Sequence, residues 1–246
     1  MTAYRYDLHL HSCLSPCADD DMTPANIAGM AMLNGLTLVA LTDHNSCKNC
    51  PAFFEACRRH GLVPVPGMEL NTAEEIHLVC LFPTLEAALS FDAGVERRLL
   101  PVRNDPAVFG NQHIVDAEDR LLGEAEQLLI MATTLPLEEA AALCLAHGGA
   151  CFPAHIDRPA NGILAVLGSL PERPAFPTLE LSLAAGAEAL LHRPEYAGRR
   201  FLRSSDAHHL WDISEGAHTI VLDDEPYSAQ RVREALITLL REGMQE

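Results

Sequence analysis

Basic residues are scarce. Lysine and arginine together number 17, Lys48 is the only lysine, and 34 acidic residues leave a formal charge of −17. A surface of that sign repels long nucleic acids and anionic membranes. The expected partner is a small phosphorylated substrate, because cations bound at a site would reverse the sign locally. Aromatic residues make up 5% of the chain, so the core is expected to be aliphatic. No run reaches the about 18 apolar residues that a membrane helix needs. Met1–Asp7 lacks the basic-then-apolar pattern of a secretory leader, and a cytoplasmic protein is expected. A Gly-x-x-x-x-Gly-Lys loop is missing, which argues against ATP hydrolysis by that route. A serine-nucleophile motif, internal repeats and low-complexity stretches are missing too.

What is present suffices for one well-buried domain. The chain has 246 residues, 48% hydrophobic and 21% charged, and no shift in composition divides it, so a single domain over 1–246 is expected. Strand-like runs alternate with helical patterns. Strands are predicted over Tyr4–Leu10, Leu36–Leu41, Val63–Val65, Ile76–Phe82, Cys151–Ala154, Leu179–Leu183, Phe201–Ser204 and Thr219–Leu222. Helices are predicted from Thr23-Pro24 to Asn34 and over Pro51–His60, Leu85–Leu100, Asp116–Ala132, Leu137–Ala146 and Ser228–Arg241. The Pro- and Gly-rich stretch Pro101–His113 is predicted to be a loop. Such alternation points to a parallel α/β structure, most simply a barrel.

Imidazoles and carboxylates stand at or just after these apolar runs. His9 and His11 are two apart on the first strand, so both point to one face and can aim at one ion. Asp7 shares that face and is expected to orient one of the imidazoles. Asp206 and His208 form a second such pair after Phe201–Ser204. His44 follows Leu36–Leu41, Glu69 follows Val63–Val65, and His155 ends the strand from Cys151. His77 falls inside an apolar run, where burial without a partner would be costly. A lone histidine of this kind is more often a hydrogen-bonded core residue, and Thr42-Asp43-His44 alone fits a capped turn; it is the set that points to metal. Imidazole with carboxylate suits zinc, manganese or iron. Arg158, three residues after His155, is the candidate substrate clamp, since a guanidinium fork matches phosphate oxygens.

The eight cysteines are expected to be thiols rather than disulfides. Cys80, Cys144 and Cys151 lie in apolar runs and fit the core. Cys13, Cys17, Cys47 and Cys50 follow the first two strands. They fit plain loop thiols, a four-thiolate zinc or a redox pair.

Asp7-Leu8-His9-Leu10-His11-Ser12, Thr42-Asp43-His44, Gly67-Met68-Glu69, His77, Ala154-His155 and Ser205-Asp206-Ala207-His208, in this order, resemble the motifs of the polymerase-and-histidinol-phosphatase (PHP) family. The resemblance implies a distorted seven-stranded barrel with two to three divalent cations at the C-terminal ends of the strands. It implies that His9, His11, Glu69 and Asp206 hold the first ion, that Glu69 bridges to a second held with His77 and His155, and that His44 and His208 hold a third with one residue of the loop after the first strand. Pro16 and Cys17 stand where the family has that last ligand. Asp19 is the preferred substitute, with Asp20, Asp21 and Cys17 as rivals. The implied activity is hydrolysis of a small phosphate ester by a metal-activated water, with His9, His11, Glu69, Asp206 and Arg158 as the catalytic group. An exonuclease, a phosphatase of oligonucleotides or nucleoside bisphosphates, a histidinol-phosphate-type phosphatase and a non-catalytic metal-binding module are the other readings.

Overall fold

The computed structural model describes residues 1–243; 244–246, part of the expected domain, lie outside the described residues. Its strands are β1 (Thr2–Asp7), β2 (Leu38–Leu41), β3 (Val63–Asn71), β4 (His77–Leu81), β5 (His113–Val115), β6 (Leu121–Glu124), β7 (Ala150–Pro153), β8 (Thr178–Leu181), β9 (Arg200–Arg203) and β10 (Thr219–Leu222). The helices are α1 (Pro24–Leu33), α2 (Cys50–Arg59), α3 (Leu85–Glu96), α4 (Pro106–Phe109), α5 (Leu137–Ala146), α6 (Ile163–Leu167) and α7 (Ala229–Arg241). Local chemistry sets several boundaries. Thr23, Thr84 and Ser228 each accept a backbone N–H of the first turn of α1, α3 and α7, and Pro24 occupies the first position of α1.

The main sheet has six strands in the order β10-β1-β2-β3-β4-β7. β2 and β3 are buried along their whole length, as continuous apolar runs in parallel strands require. β1, β2 and β3 run parallel, whereas β3–β4, β4–β7 and β1–β10 are antiparallel. The all-parallel arrangement is thus corrected. Only residues 72–76 join β3 to β4, and a parallel return needs a crossover of about a dozen residues or more.

A parallel pair, β8–β9, spans the margins of the curled sheet. On one side Ile156 N–H, just past β7, donates to Glu180 O at 2.9 Å. On the other, Asp206 N–H donates to His9 O at 3.0 Å and His11 N–H to Ala207 O at 3.1 Å. The succession β1-β2-β3-β4-β7-β8-β9 therefore returns to β1 as a distorted barrel, with β10 outside it.

Alternate strand residues feed two cores. Val39, Leu41, Met68, Leu70 and Leu78 pack with α1, α2, α3 and α5. Leu38, Ala40, Val63, Val65, Val79 and Phe152 pack against Val232, Leu236, Ile237 and Leu240 of α7.

The helix predicted over Asp116–Ala132 does not form. Asp116 Oδ1 accepts the N–H groups of Glu118 and Arg120, both at 2.9 Å, and Asp119 has φ 60°. This side-chain-to-backbone bonding competes with a helical start; the chain turns into the β5–β6 hairpin instead. The stretch Pro101–His113 contains α4 and lies against the loop after β1, where His113 N–H donates to Cys13 O at 2.8 Å. Among the described residues, no helix is long and apolar enough to cross a membrane.

Candidate metal centre

The strand termini bring their polar residues to one rim. His9 and His11 extend β1, His44 follows β2, and Glu69 lies on β3 where it bridges to His44. β4 is antiparallel to β3, and its first residue, His77, stands opposite Asn71 at the same rim. His155 follows β7, and Asp206 and His208 follow β9. His155 and Asp206 adopt left-handed φ of 28° and 53°. Non-glycine residues rarely sit there, at a cost of about 1–3 kcal/mol each, and such strain concentrates at functional sites.

Glu69, 1% exposed, is the hub. Its Oε1 lies 3.2 Å from His9 Nε2, 2.9 Å from His77 Nδ1 and 3.1 Å from His155 Nε2. Its Oε2 lies 3.3 Å from His11 Nε2 and 3.1 Å from His44 Nδ1. Asp206 Oδ1 is 3.3 Å from His9 Nε2 and 3.1 Å from His11 Nε2. Three donor sets emerge: His9, His11, Glu69 and Asp206; His44, Glu69 and His77; and His11, His44 and His208. The first matches the set expected for one ion. The second differs from expectation in taking His44, although His155 also touches Glu69.

Electrostatics sharpen this picture. Burial works against an ionised Glu69, but electrostatic attraction to the surrounding imidazoles, that of His77 foremost, outweighs it and holds the carboxyl well below its usual range. Asp206 is likewise depressed by His9 and His11 against its own burial. Burial also opposes charging of His11, yet the adjoining carboxylates of Asp206 and Glu69 push its pKa up to about 9. His44 is driven well below its ordinary value by burial and by neighbouring imidazoles, and His208 falls to about 4 for similar reasons. The last two imidazoles are thus neutral, the state that ligates metal.

His9 Nε2, His11 Nε2, His44 Nδ1, His77 Nδ1 and Asp206 Oδ1 are buried without a hydrogen-bond partner. Five orphaned donor atoms facing one another is a costly arrangement for a core. Cations among them would satisfy all five. Imidazole nitrogen with carboxylate oxygen suits zinc, manganese or iron and does not choose among them.

Asp19 stands apart. Its Oδ2 takes His209 Nδ1 at 2.6 Å, it joins none of the three donor sets, and its side chain is 47% exposed. Cys17 is exposed, yet burial of its sulfur and the charges of Glu69 and Asp206 push its thiol up to about 12. Cys47 and Cys50 direct their sulfurs at Gly67 O, and Cys13 at His113 O. Among the described residues no four sulfurs converge on a metal position. Arg158 sits at the rim, with Nη1 2.5 Å from Asp206 Oδ2 and 44% of its side chain exposed.

Asp7 does not orient the imidazoles; this expectation is corrected. Its carboxylate accepts the N–H groups of Ser205 and Ser214, each at 3.1 Å, locking the loop that carries Asp206. Buried without full compensation, it is raised to about 6. The orienting residue is Glu180 of β8, whose Oε2 takes His9 Nδ1 at 2.8 Å and His155 N–H at 3.2 Å. His11 Nδ1 is met by Ser15 Oγ at 3.0 Å, and Ser15 Oγ in turn donates to Asp43 Oδ1 at 2.8 Å. The only signal Glu180 carried was that of a carboxylate inside the predicted strand Leu179–Leu183, where Ser182 is a second polar residue.

Known proteins share this framework. The family model for the PHP domain matches residues 7–166. A curated relative, the 5′-3′ exoribonuclease Rnm of Salmonella typhimurium, is 36% identical over 81 residues, 31% of this chain and 27% of that protein. Among solved structures, the lesion-specific endonuclease Q of Pyrococcus furiosus superposes with a TM-score of 0.64 at 20% identity, covering 98% of this chain and 56% of that one. A proposed metal-dependent phosphoesterase from Bifidobacterium adolescentis gives a TM-score of 0.55 at 19% identity over 94% of this chain and 95% of that one. The chain thus aligns with about a quarter of the exoribonuclease and spans little more than half of endonuclease Q. With the ordered motifs, the barrel and the family match over most of its length, the chain belongs to the PHP domain family.

Proposed function

We propose that this chain, acting as one domain, is a metal-dependent phosphoesterase. The observation that carries this reading is the convergence on Glu69 of five imidazoles with orphaned donor atoms among them. His9, His11, His44, Glu69, His77, His155, Asp206 and His208 would hold two to three zinc, manganese or iron ions; the loop ligand Asp19 would join them only by leaving His209. When bound, such cations polarise phosphoryl oxygens and lower the pKa of a water toward about 7.

The chain's own residues supply the rest. Glu180 fixes His9 so that its Nε2 faces Glu69 and Asp206. Arg158 holds Asp206 through Nη1, and its other guanidinium N–H groups, which have no partner among the described residues, would meet a non-bridging phosphate oxygen at the rim. The buried floor at Glu69 and His9 keeps bulk water from competing with these contacts.

A nucleic acid is a second reading of the substrate. The names of two similar proteins, an exoribonuclease and an endonuclease, support it and count against the expectation that long nucleic acid is unsuitable. Net charge is a property of the whole surface and says little about a strand end entering a cationic centre.

Elemental analysis of protein never exposed to chelator should find two to three of these ions per chain, with hydrolysis of an aryl phosphate ester. Glu69→Ala and Asp206→Ala should abolish both. Fewer than one ion per chain, or retained turnover in either variant, contradicts the reading.

A further inference from the structure

Trp211 is the only tryptophan of the chain. It is 75% exposed, yet it is not on a loose segment. Leu210 before it packs on the helix-side core, and Ile213 after it is buried. Asn34 Nδ2 donates to Ile213 O at 2.8 Å and closes the turn. The indole lies face to face on the His209 imidazole, with centroids 4.7 Å apart and planes 5° apart. His209 is itself pinned, through Nδ1, by Asp19 Oδ2 at 2.6 Å. Asp19 N–H donates to His208 O at 3.0 Å, so the β1 loop and the β9 loop brace the stack jointly.

His208 belongs to a donor set of the candidate centre. Trp211 stands three positions after it, so their Cα atoms are at most about 11 Å apart. One face of the indole is taken by His209, and the residue is otherwise largely exposed, within that distance of a candidate metal ligand. Most large aromatic rings of the chain are buried, and an open, rigidly held ring at a site rim is a stacking surface for another π system. Every nucleobase has such a face, and stacking on an aromatic side chain tolerates any base.

We infer that the Trp211–His209 pair is a platform for an unstacked nucleobase of a nucleotide or single strand whose phosphate lies at the metal centre. The inference rests on the phosphoesterase reading and narrows its substrate class. A strand would place its terminal or extruded base there; a mononucleotide would place its only base.

Since Trp211 is the sole tryptophan, its emission reports the platform alone. The full chain, with its metals, is titrated with a short oligoadenylate carrying phosphorothioate linkages, with its abasic counterpart and with AMP. Saturable quenching by the oligoadenylate, at least about fivefold weaker for the abasic strand, is expected. Quenching by AMP at comparable concentration identifies a mononucleotide site; quenching by the strand alone identifies a strand site. Trp211→Ala should lower the ratio of kcat/KM for base-bearing over abasic phosphodiester by about 5- to 150-fold. Trp211→Phe should restore most of it. Equal quenching by the abasic strand, no quenching by any probe, or an unchanged ratio in Trp211→Ala overturns the platform. Base-dependent quenching with no hydrolysis of any phosphate ester leaves the platform standing and removes the phosphoesterase reading. Hydrolysis indifferent to the base does the reverse.

Discussion

The two oxygens of Glu69 divide five imidazoles between them, and Asp206 shares two of the five. Rings so placed need their far sides held, or they would turn away. Glu180 does this for His9, and Ser15 for His11. Loss of such a supporting partner typically costs about 10- to 100-fold in metal affinity. Glu180→Ala is therefore expected to weaken metal retention by that amount with the fold intact. Glu180→Gln, whose amide oxygen can still accept from Nδ1, should recover part of it. Competition with a chelator of known affinity measures both; equal affinity in Glu180→Ala would remove the positioning role. The ligand candidates were legible because each interrupts or ends an apolar run. Glu180 interrupts one too, but nothing beside it in the sequence suggested a motif. Asp7 misled for the opposite reason: strand periodicity gives the face of a side chain, not the partner it finds there.

Among the elements, strand positions were legible and strand directions were not. A buried parallel strand and a buried central antiparallel strand present the same apolar run, and only the five-residue link between Asn71 and His77 tells that β4 must turn back. The stretch 116–132 has apolar residues at helix-compatible spacing, yet Leu121 and Leu122 are exposed in a hairpin because the Asp116 turn takes precedence. The β1–β10 pairing carries a testable charge. Asp224 accepts the hydroxyls of Tyr4 at 2.8 Å and Thr2 at 3.0 Å, and these bonds, the Tyr4 one foremost, hold its carboxyl below the usual range. A depressed acid stabilises the fold fully above its unfolded pKa of about 3.9, and the gain is lost as pH falls through the lower folded value. Tyr4→Phe should thus melt below the parent near neutral pH, and the gap should close in acid. Melting curves across that range would refute the account if the gap were constant.

For the whole molecule, a barrel was legible from the strand–helix alternation and from the family resemblance, but how it closes was not. Closure depends on hydrogen bonds from Ile156 to β8 and from Asp206 to His9, which no local pattern announces. Charge is a weak guide at this scale, because −17 is summed over the chain whereas the candidate centre is a local cluster of imidazoles. Cations that bind only the folded barrel must stabilise it. At a free concentration about 100 times its Kd, each contributes about 2.7 kcal/mol, or roughly 5–10 °C in melting temperature for a chain of this size. Adding a chelator should lower the melting temperature by at least one such step. An unchanged transition would show that no ion is held.

His9 and Asp206 meet although nearly the whole chain separates them. During synthesis the first imidazoles therefore leave the ribosome long before their carboxylate partner exists. A nascent or prematurely terminated polypeptide, even one extending through the family-matched segment to residue 166, lacks Glu180, Asp206 and His208. The donor set of His9, His11, Glu69 and Asp206 therefore cannot assemble until residue 206 has been made, and a fragment that stops earlier lacks the place for that ion.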